Sequence, residues 1–325
     1  MHCPSEFTTW VGLAVTGLVL GALYAMIALG YTMVYGVLQL LNFAHSEVFM
    51  VGSFGGLYGL VWMGVTGPRS GVSLFLTLAF AFVVAMVFAA LTAVAMERIA
   101  YRPLRRRGGS RLAYLIVAIG VSLFLSNLFL LLDGSQHLGL PFDWPAIAGR
   151  APVSFPDVIA RHDLFSILGV SVNNIQVLIV VVALGMMLVL DAFVHRTKMG
   201  TGIRAVAEDP DTAAMMGVNI NQVIVATFAI GGLMAGGAGL LYGLNFGLTV
   251  FNIGFIPGIK AFTAAVLGGI GNIRGAVLGG LLLGLIENLG IGCVSAQWKD
   301  VIAFAVLVGV LMFRPTGILG EQVGR

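Results

Sequence analysis

Charge is the scarcest property of this chain. Asp, Glu, Lys and Arg together make up 10% of its 325 residues, against about 25% in an ordinary soluble domain. So few charges cannot cover a water-facing surface, which excludes the soluble globular classes. Cysteine is nearly absent as well. Cys3 lies in the N-terminal tail and Cys293 in an apolar run, a distribution that supports neither a disulfide framework nor a metal site, so both are read as unengaged residues. No GxxxxGK(S/T) pattern occurs, so the usual loop for cradling nucleotide phosphates is missing. The first ten residues have no basic start and the apolar run behind them is too long for a cleavable signal, which predicts a retained first helix. The net charge of +3 asks for no nucleic-acid partner. No cofactor or metal is expected from the residues present.

What the chain has is apolar length. Hydrophobic residues make up 59% of it and the mean hydropathy is +1.02. Apolar runs fall at 10–35, 43–63, 72–96, 112–132, 175–193, 222–244, 259–270, 276–291 and 301–313. A helix of about 20 such residues crosses the roughly 30 Å of a bilayer's hydrocarbon. The expected fold class is therefore all-α: a polytopic transmembrane helical bundle of about eight or nine spans, forming a single membrane domain over residues 1–325. The run from Ile259 is too short to span alone, and Gly268-Gly269-Ile270-Gly271-Asn272 behind it predicts a broken helix. Forty-five glycines suit close helix crossings. Four-residue spacings join Gly271, Gly275 and Gly279, and also Gly280 and Gly284, as candidate packing faces.

Basic residues orient the spans. Arg98, Arg102, Arg105, Arg106, Arg107 and Arg111 share one short loop, and His195, Arg196, Lys198 and Arg204 another, which predicts that both are cytoplasmic. The alternation then places the N-terminus outside, Arg314 and Arg325 inside, and the long segment 133–174 outside, where Pro141, Pro145, Pro152 and Pro156 prevent a continuous helix. That segment is either a docking surface or a mere connector.

The cytoplasmic segment 195–222 is the most informative. Asp209 can cap a helix, Pro210 suits its first position, Asp211 suits its positive end and Gly217 its stop. A helix over 210–216 is too short to stand alone and needs a surface for Ala213, Ala214 and Met216. Either a partner protein supplies it or the segment is an ordinary amphipathic loop. Arg204 and Glu208 precede it. Elsewhere, Asn42, His45 and Glu47 lie between two apolar runs, as a polar patch on a pathway or as a turn and helix cap. His45 and Glu47, two apart, do not share a helix face, which disfavours a joint metal or acid–base site. Glu287 and Asn288 lie inside the penultimate run, either as pathway groups or as interhelical hydrogen-bonding groups.

Several stretches together resemble a known family. They are GYTMVYG at 30–36, NFAHSE at 42–47, AYRPL at 100–104, the segment 197–222, and AVLGGIGNIRGA at 265–276. In order and spacing, over roughly residues 17–317, they are similar to the permease subunits of branched-chain amino acid ABC importers of the LivH type. Ser46 departs from the glycine that often follows the His of the NFAH stretch. The resemblance implies a type II ABC importer-like permease in a bacterial inner membrane, forming half of a translocation pathway and performing no catalysis itself. It implies a second homologous permease subunit, cytoplasmic ATP-binding subunits that hydrolyse ATP, and a periplasmic solute-binding protein, with the segment 195–222 as the ATPase-coupling loop. Other amino acids, urea or short amides are alternative solutes. An ion-coupled secondary transporter is the rival mechanism, for which Glu287 is the obvious candidate group, and no paired catalytic motif supports an intramembrane enzyme.

Overall fold

The computed structural model describes residues 6–40, 42–132, 152–314 and 316–320. Cys3, Pro141, Pro145 and Arg325 lie outside them. The described residues form α1 (Phe7–Leu38), α2 (His45–Trp62), α3 (Gly71–Met96), a π-turn (Glu97–Tyr101), α4 (Arg102–Arg106), α5 (Arg111–Leu132), β1 (Val153–Ser154), β2 (Asp163–Ile167), β3 (Val170–Asn173), α6 (Asn174–Arg196), α7 (Lys198–Glu208), α8 (Pro210–Met215), α9 (Ile220–Phe246), β4 (Leu248–Thr249), α10 (Phe255–Gly268), α11 (Ile273–Cys293) and α12 (Lys299–Phe313).

The architecture is that of an all-α polytopic membrane protein. Among the described residues, seven helices are long and apolar enough to cross a membrane, slightly fewer than the eight or nine expected. The two runs that fall short do so for different reasons. α10 has 14 residues, about 21 Å at 1.5 Å per residue. α2 has 18 residues but contains His45, Ser46, Glu47 and four glycines among its apolar side chains, and nearly all of it is buried.

Two compact units divide the chain: residues 1–39, 161–227 and 259–325 form one, residues 40–160 and 228–258 the other. In the first, α1 packs along α11, with α6 also against α1 and α12 against α11. Glycine makes the α1–α11 crossing possible. A Cβ on Gly17 would stand 2.9 Å from the Gly284 carbonyl oxygen and one on Gly21 2.8 Å from that of Gly280, so the backbones touch where side chains would hold them apart. In the second unit, α2 packs on α3 and α5, and β1 pairs antiparallel with β4.

The described part of the segment 133–174 contains no helix before Asn174, where α6 begins. It contains β1 and the β2–β3 hairpin, whose turn places Leu168 and Gly169 at positive φ, the two-residue geometry that fits the twist of paired strands. Cys293 ends α11 and is disulfide-bonded, which corrects its reading as an unengaged residue. Trp10 and Leu13 of α1 lie over Gly292, so the start of the first helix stands at the end of α11, where that cysteine is held in packed chain and not in an open apolar run.

Candidate functional site

Three groups of polar residues stand out from this apolar background. The first surrounds Glu47 in the second unit. α2 begins at His45 with Ala44 as its N-cap and no side-chain cap bond, so Asn42 does not serve as the cap that a simple turn would make of it. Asn42 is buried, and its Oδ1 accepts the hydroxyl of Tyr101 at 2.8 Å. Glu47, also buried, faces α5, where Ser122 Oγ donates to its Oε1 at 3.2 Å. Ser126 of α5 and the neighbouring Ser46 also direct hydroxyls at this carboxylate. Ser46 in turn donates to the Phe43 carbonyl at 2.7 Å. The backbone of Gly254 and Gly258 lies directly on Ser46, close enough that neither position has room for a Cβ. Among the described residues these hydroxyls meet Glu47 and no cation pairs with it, and a carboxylate solvated in that way is costly to charge away from water.

The second group belongs to the first unit. Glu287 of α11 is 0% exposed at its side chain, and its Oε1 receives Lys260 Nζ of α10 at 2.5 Å and Lys299 Nζ of α12 at 3.6 Å. Lys260, 4% exposed, also reaches Asp300 Oδ1 at 2.7 Å, and the Tyr24 ring lies 6.0 Å from its Nζ. Two cations and two carboxylates thus tie three helices together. Asn288 sits beside this network but turns its amide back to the Gly284 carbonyl of its own helix at 2.9 Å.

The third group is the segment 195–222, most of which is helical. Thr197 caps α7 by accepting the Gly200 amide at 3.0 Å, and α7 buries Ile203 and Val206 while exposing Arg204 and Glu208. Asp209 then caps α8, accepting the amides of Asp211 at 2.9 Å and Thr212 at 3.2 Å and the Thr212 hydroxyl at 2.5 Å. These bonds, the Thr212 hydroxyl foremost, hold the Asp209 carboxyl below its ordinary range. Pro210 and Asp211 fill the first turn, and Gly217 follows at a φ of 86°. The helix ends at Met215, one residue short of expectation. Ala213 turns inward, Ala214 is exposed, and the large apolar side chains left in the open are Met215 and Met216, 80% and 82% exposed. A cavity of about 340 Å³ is lined by α7, the link after α8 and the start of α9, including Met199, Gly202, Ala205, Val218 and Val223.

The expected glycine series divides. Gly275, Gly279, Gly280 and Gly284 lie within α11, buried against neighbouring backbone, whereas Gly271 precedes that helix at a φ of 101° with open space where a Cβ would point. Asn272 then caps α11 through the Gly275 amide at 3.0 Å. Among the described residues, no three His, Cys, Asp or Glu side chains stand together as a metal site would need.

Comparison with known proteins decides what kind of chain carries these groups. Residues 13–311 match the family model described as the branched-chain amino acid transport system permease component. The chain belongs to this family. It is 44% identical over 309 residues to the high-affinity branched-chain amino acid transport system permease protein BraD of Pseudomonas aeruginosa, with 94% of each chain covered. It is 42% identical over 305 residues to the LivH permease of Escherichia coli K12, again with 94% of each covered. A probable branched-chain amino acid transport permease of Methanocaldococcus jannaschii is 26% identical over 312 residues. No solved structure matches.

In this permease, sequence reasoning missed three features. The hydroxyls of Ser122 and Ser126 lie 75 and 79 positions from Glu47, and no local pattern links them. The amphipathic helix α7 was readable in the spacing of Gly200, Ile203 and Val206, which recur on one face. The exposed Met215 stands next to the residues singled out but was not among them.

Proposed function

We propose that this permease carries branched-chain amino acids across a bacterial inner membrane, forming one half of a pathway completed by a second, homologous permease subunit. ATP-binding subunits on the cytoplasmic side hydrolyse ATP, and a periplasmic binding protein delivers the solute. The observation that carries this reading is α8: a helix of six residues, firmly capped yet presenting Met215 and Met216 to solvent. A helix so short is marginal alone, and exposed methionines are adaptable contact groups for a partner. The segment 195–222 therefore serves as the coupling element, with Arg204, Glu208 and Asp211 as its polar rim. The disulfide at Cys293 supports an orientation in which the end of α11 and the N-terminus face an oxidising compartment, with the arginine-rich segments on the other side. Asn42, His45 and Glu47 in one unit, and Glu287 and Asn288 in the other, are the candidate polar groups near the solute's path.

Reconstitution of the permease with its partner permease, ATP-binding subunits and binding protein in vesicles tests this. Leucine, isoleucine and valine are expected to enter in an ATP-dependent manner, and urea and acetamide are not expected to compete. Replacement of Pro210-Asp211-Thr212 by three glycines is expected to leave membrane insertion intact while ATP hydrolysis continues without uptake. Uptake by the permease alone, driven by an ion gradient, would overturn the reading in favour of a secondary transporter.

A further inference from the structure

Four arginines stand around one cavity with nothing among the described residues to neutralise them. The cavity, of about 330 Å³, is lined by Arg98, Arg102, Pro103, Arg106 and Arg107. Within this run the acidic residue is Glu97, buried and already joined to Arg105 at 3.0 Å. No ion pair among the described residues involves the four lining arginines, and Arg102 Nε is shielded from solvent without a hydrogen-bond partner.

The backbone concentrates them. α3 widens into the π-turn Glu97–Tyr101, where the Arg102 amide reaches back to the Glu97 carbonyl, before α4 begins. Such widened turns occur often at functional sites. Arg98, Arg102 and Arg106 recur every fourth residue, a spacing at which like charges on a helix repel. An anion seated among them removes that repulsion and receives planar, multidentate donors suited to phosphate. The surroundings indicate which anion. Leu91 and Ile99 on the same helical stretch, and Leu112 and Ile116 on α5, are exposed apolar residues of two segments long and apolar enough to span the bilayer. The cavity therefore lies where membrane-facing surface gives way to polar chain, at the level of lipid phosphates. No carboxylate lines it, so the ammonium of a zwitterionic headgroup would meet only like charge.

We propose that the Arg98–Arg102–Arg106–Arg107 cavity binds the headgroup phosphate of an anionic phospholipid whose acyl chains lie along the exposed faces of α3 and α5. Basic pockets at membrane interfaces bind such headgroups through local charge. The test uses the full-length permease in micelles containing equimolar phosphatidylglycerol and phosphatidylethanolamine, with retained lipid read by native mass spectrometry. The wild type is expected to retain phosphatidylglycerol preferentially. Combined Arg98→Gln, Arg102→Gln, Arg106→Gln and Arg107→Gln is expected to cut that preference about tenfold or more, whereas the corresponding four-lysine variant, which preserves charge, keeps much of it and so separates lost binding from lost folding. Arg314→Gln, at the end of α12, is expected to leave it unchanged. Wild-type preference in the four-glutamine variant overturns the proposal. So does displacement of the lipid by millimolar inorganic phosphate, which would make the site one for a soluble anion. Unchanged lipid retention with lost co-purification of the ATP-binding subunits also overturns it, assigning the arginines to an acidic protein surface.

Discussion

Glu47 and Glu287 are both carboxylates withdrawn from water in an apolar chain, yet the two units treat them oppositely. Glu287 is answered by charge: Lys260 and Lys299 approach it from two other helices, and Asp300 also pairs with Lys260. Glu47 is answered by hydroxyls from Ser46 and Ser122, which solvate it without cancelling it. An ion pair of matched partners is self-contained and leaves little for a passing solute to bind. A carboxylate held by neutral donors retains its attraction for a cation, which a solute carrying an ammonium could satisfy. The comparison thus separates a fastening from a group available for work.

Removing one partner from the fastening should have the largest effect. Lys260→Met leaves Glu287 facing only the more distant Lys299, and breaking a buried pair on one side typically costs about 3–5 kcal/mol; a large fall in the thermal aggregation midpoint in detergent is the expected readout. Pairing Lys260→Met with Glu287→Leu should restore much of that loss, since removing both charges leaves none uncompensated. Equal melting of the single variant and the wild type would break the comparison. Glu47→Gln keeps the shape and an acceptor for the serines, so its effect on stability should stay below about 1.5 kcal/mol, while uptake in the reconstituted system should fall about tenfold or more if the uncancelled charge serves the solute. Full uptake would remove Glu47 from the pathway.

The smallest effect belongs to a third carboxylate, Asp209, which sits in water and caps α8. Its carboxyl titrates below the ordinary value of 3.8, chiefly because of the Thr212 hydroxyl. A lowered value in the folded state means that the cap's contribution is complete above the ordinary value and is lost as pH falls through the lowered one. Hydrogen exchange at the Asp211 and Thr212 amides, corrected for the intrinsic rate, should therefore show constant protection from neutral pH down to the ordinary range and loss below it. Asp209→Asn should keep most of that protection at neutral pH and Asp209→Ala little of it.

What was legible in the sequence follows the range of the forces involved. Each helix longer than 12 residues sits on an apolar run, because burial in a bilayer is decided residue by residue along the chain. The break at 268–272 and the Asp209–Pro210 helix start were legible for the same reason: glycine, proline and capping carboxylates act within a turn of where they stand. The partners of Glu47 and Glu287 were not. Lys260 and Glu287 are 27 positions apart and are joined only by the packing of α10 on α11, which no periodicity encodes. The inward turn of Ala213 and the outward display of Met215 depend on how α8 rests on its neighbours, a choice that composition leaves open. The arginine cavity was legible as a basic loop, but its freedom from neutralising partners required the paired Glu97 to be seen with Arg105.

The break between α10 and α11 has one further consequence. Helix ends expose carbonyls that a bilayer interior cannot hydrate, and here they are met from the far end of the chain: the amides of Ile318 and Leu319 donate to the carbonyls of Leu267 and Gly268, and Asn272 returns a bond to the Leu319 carbonyl at 3.0 Å. Residues 318–319 are thus a splint on the fracture between two half-columns, and a change that moves them would loosen both halves at once.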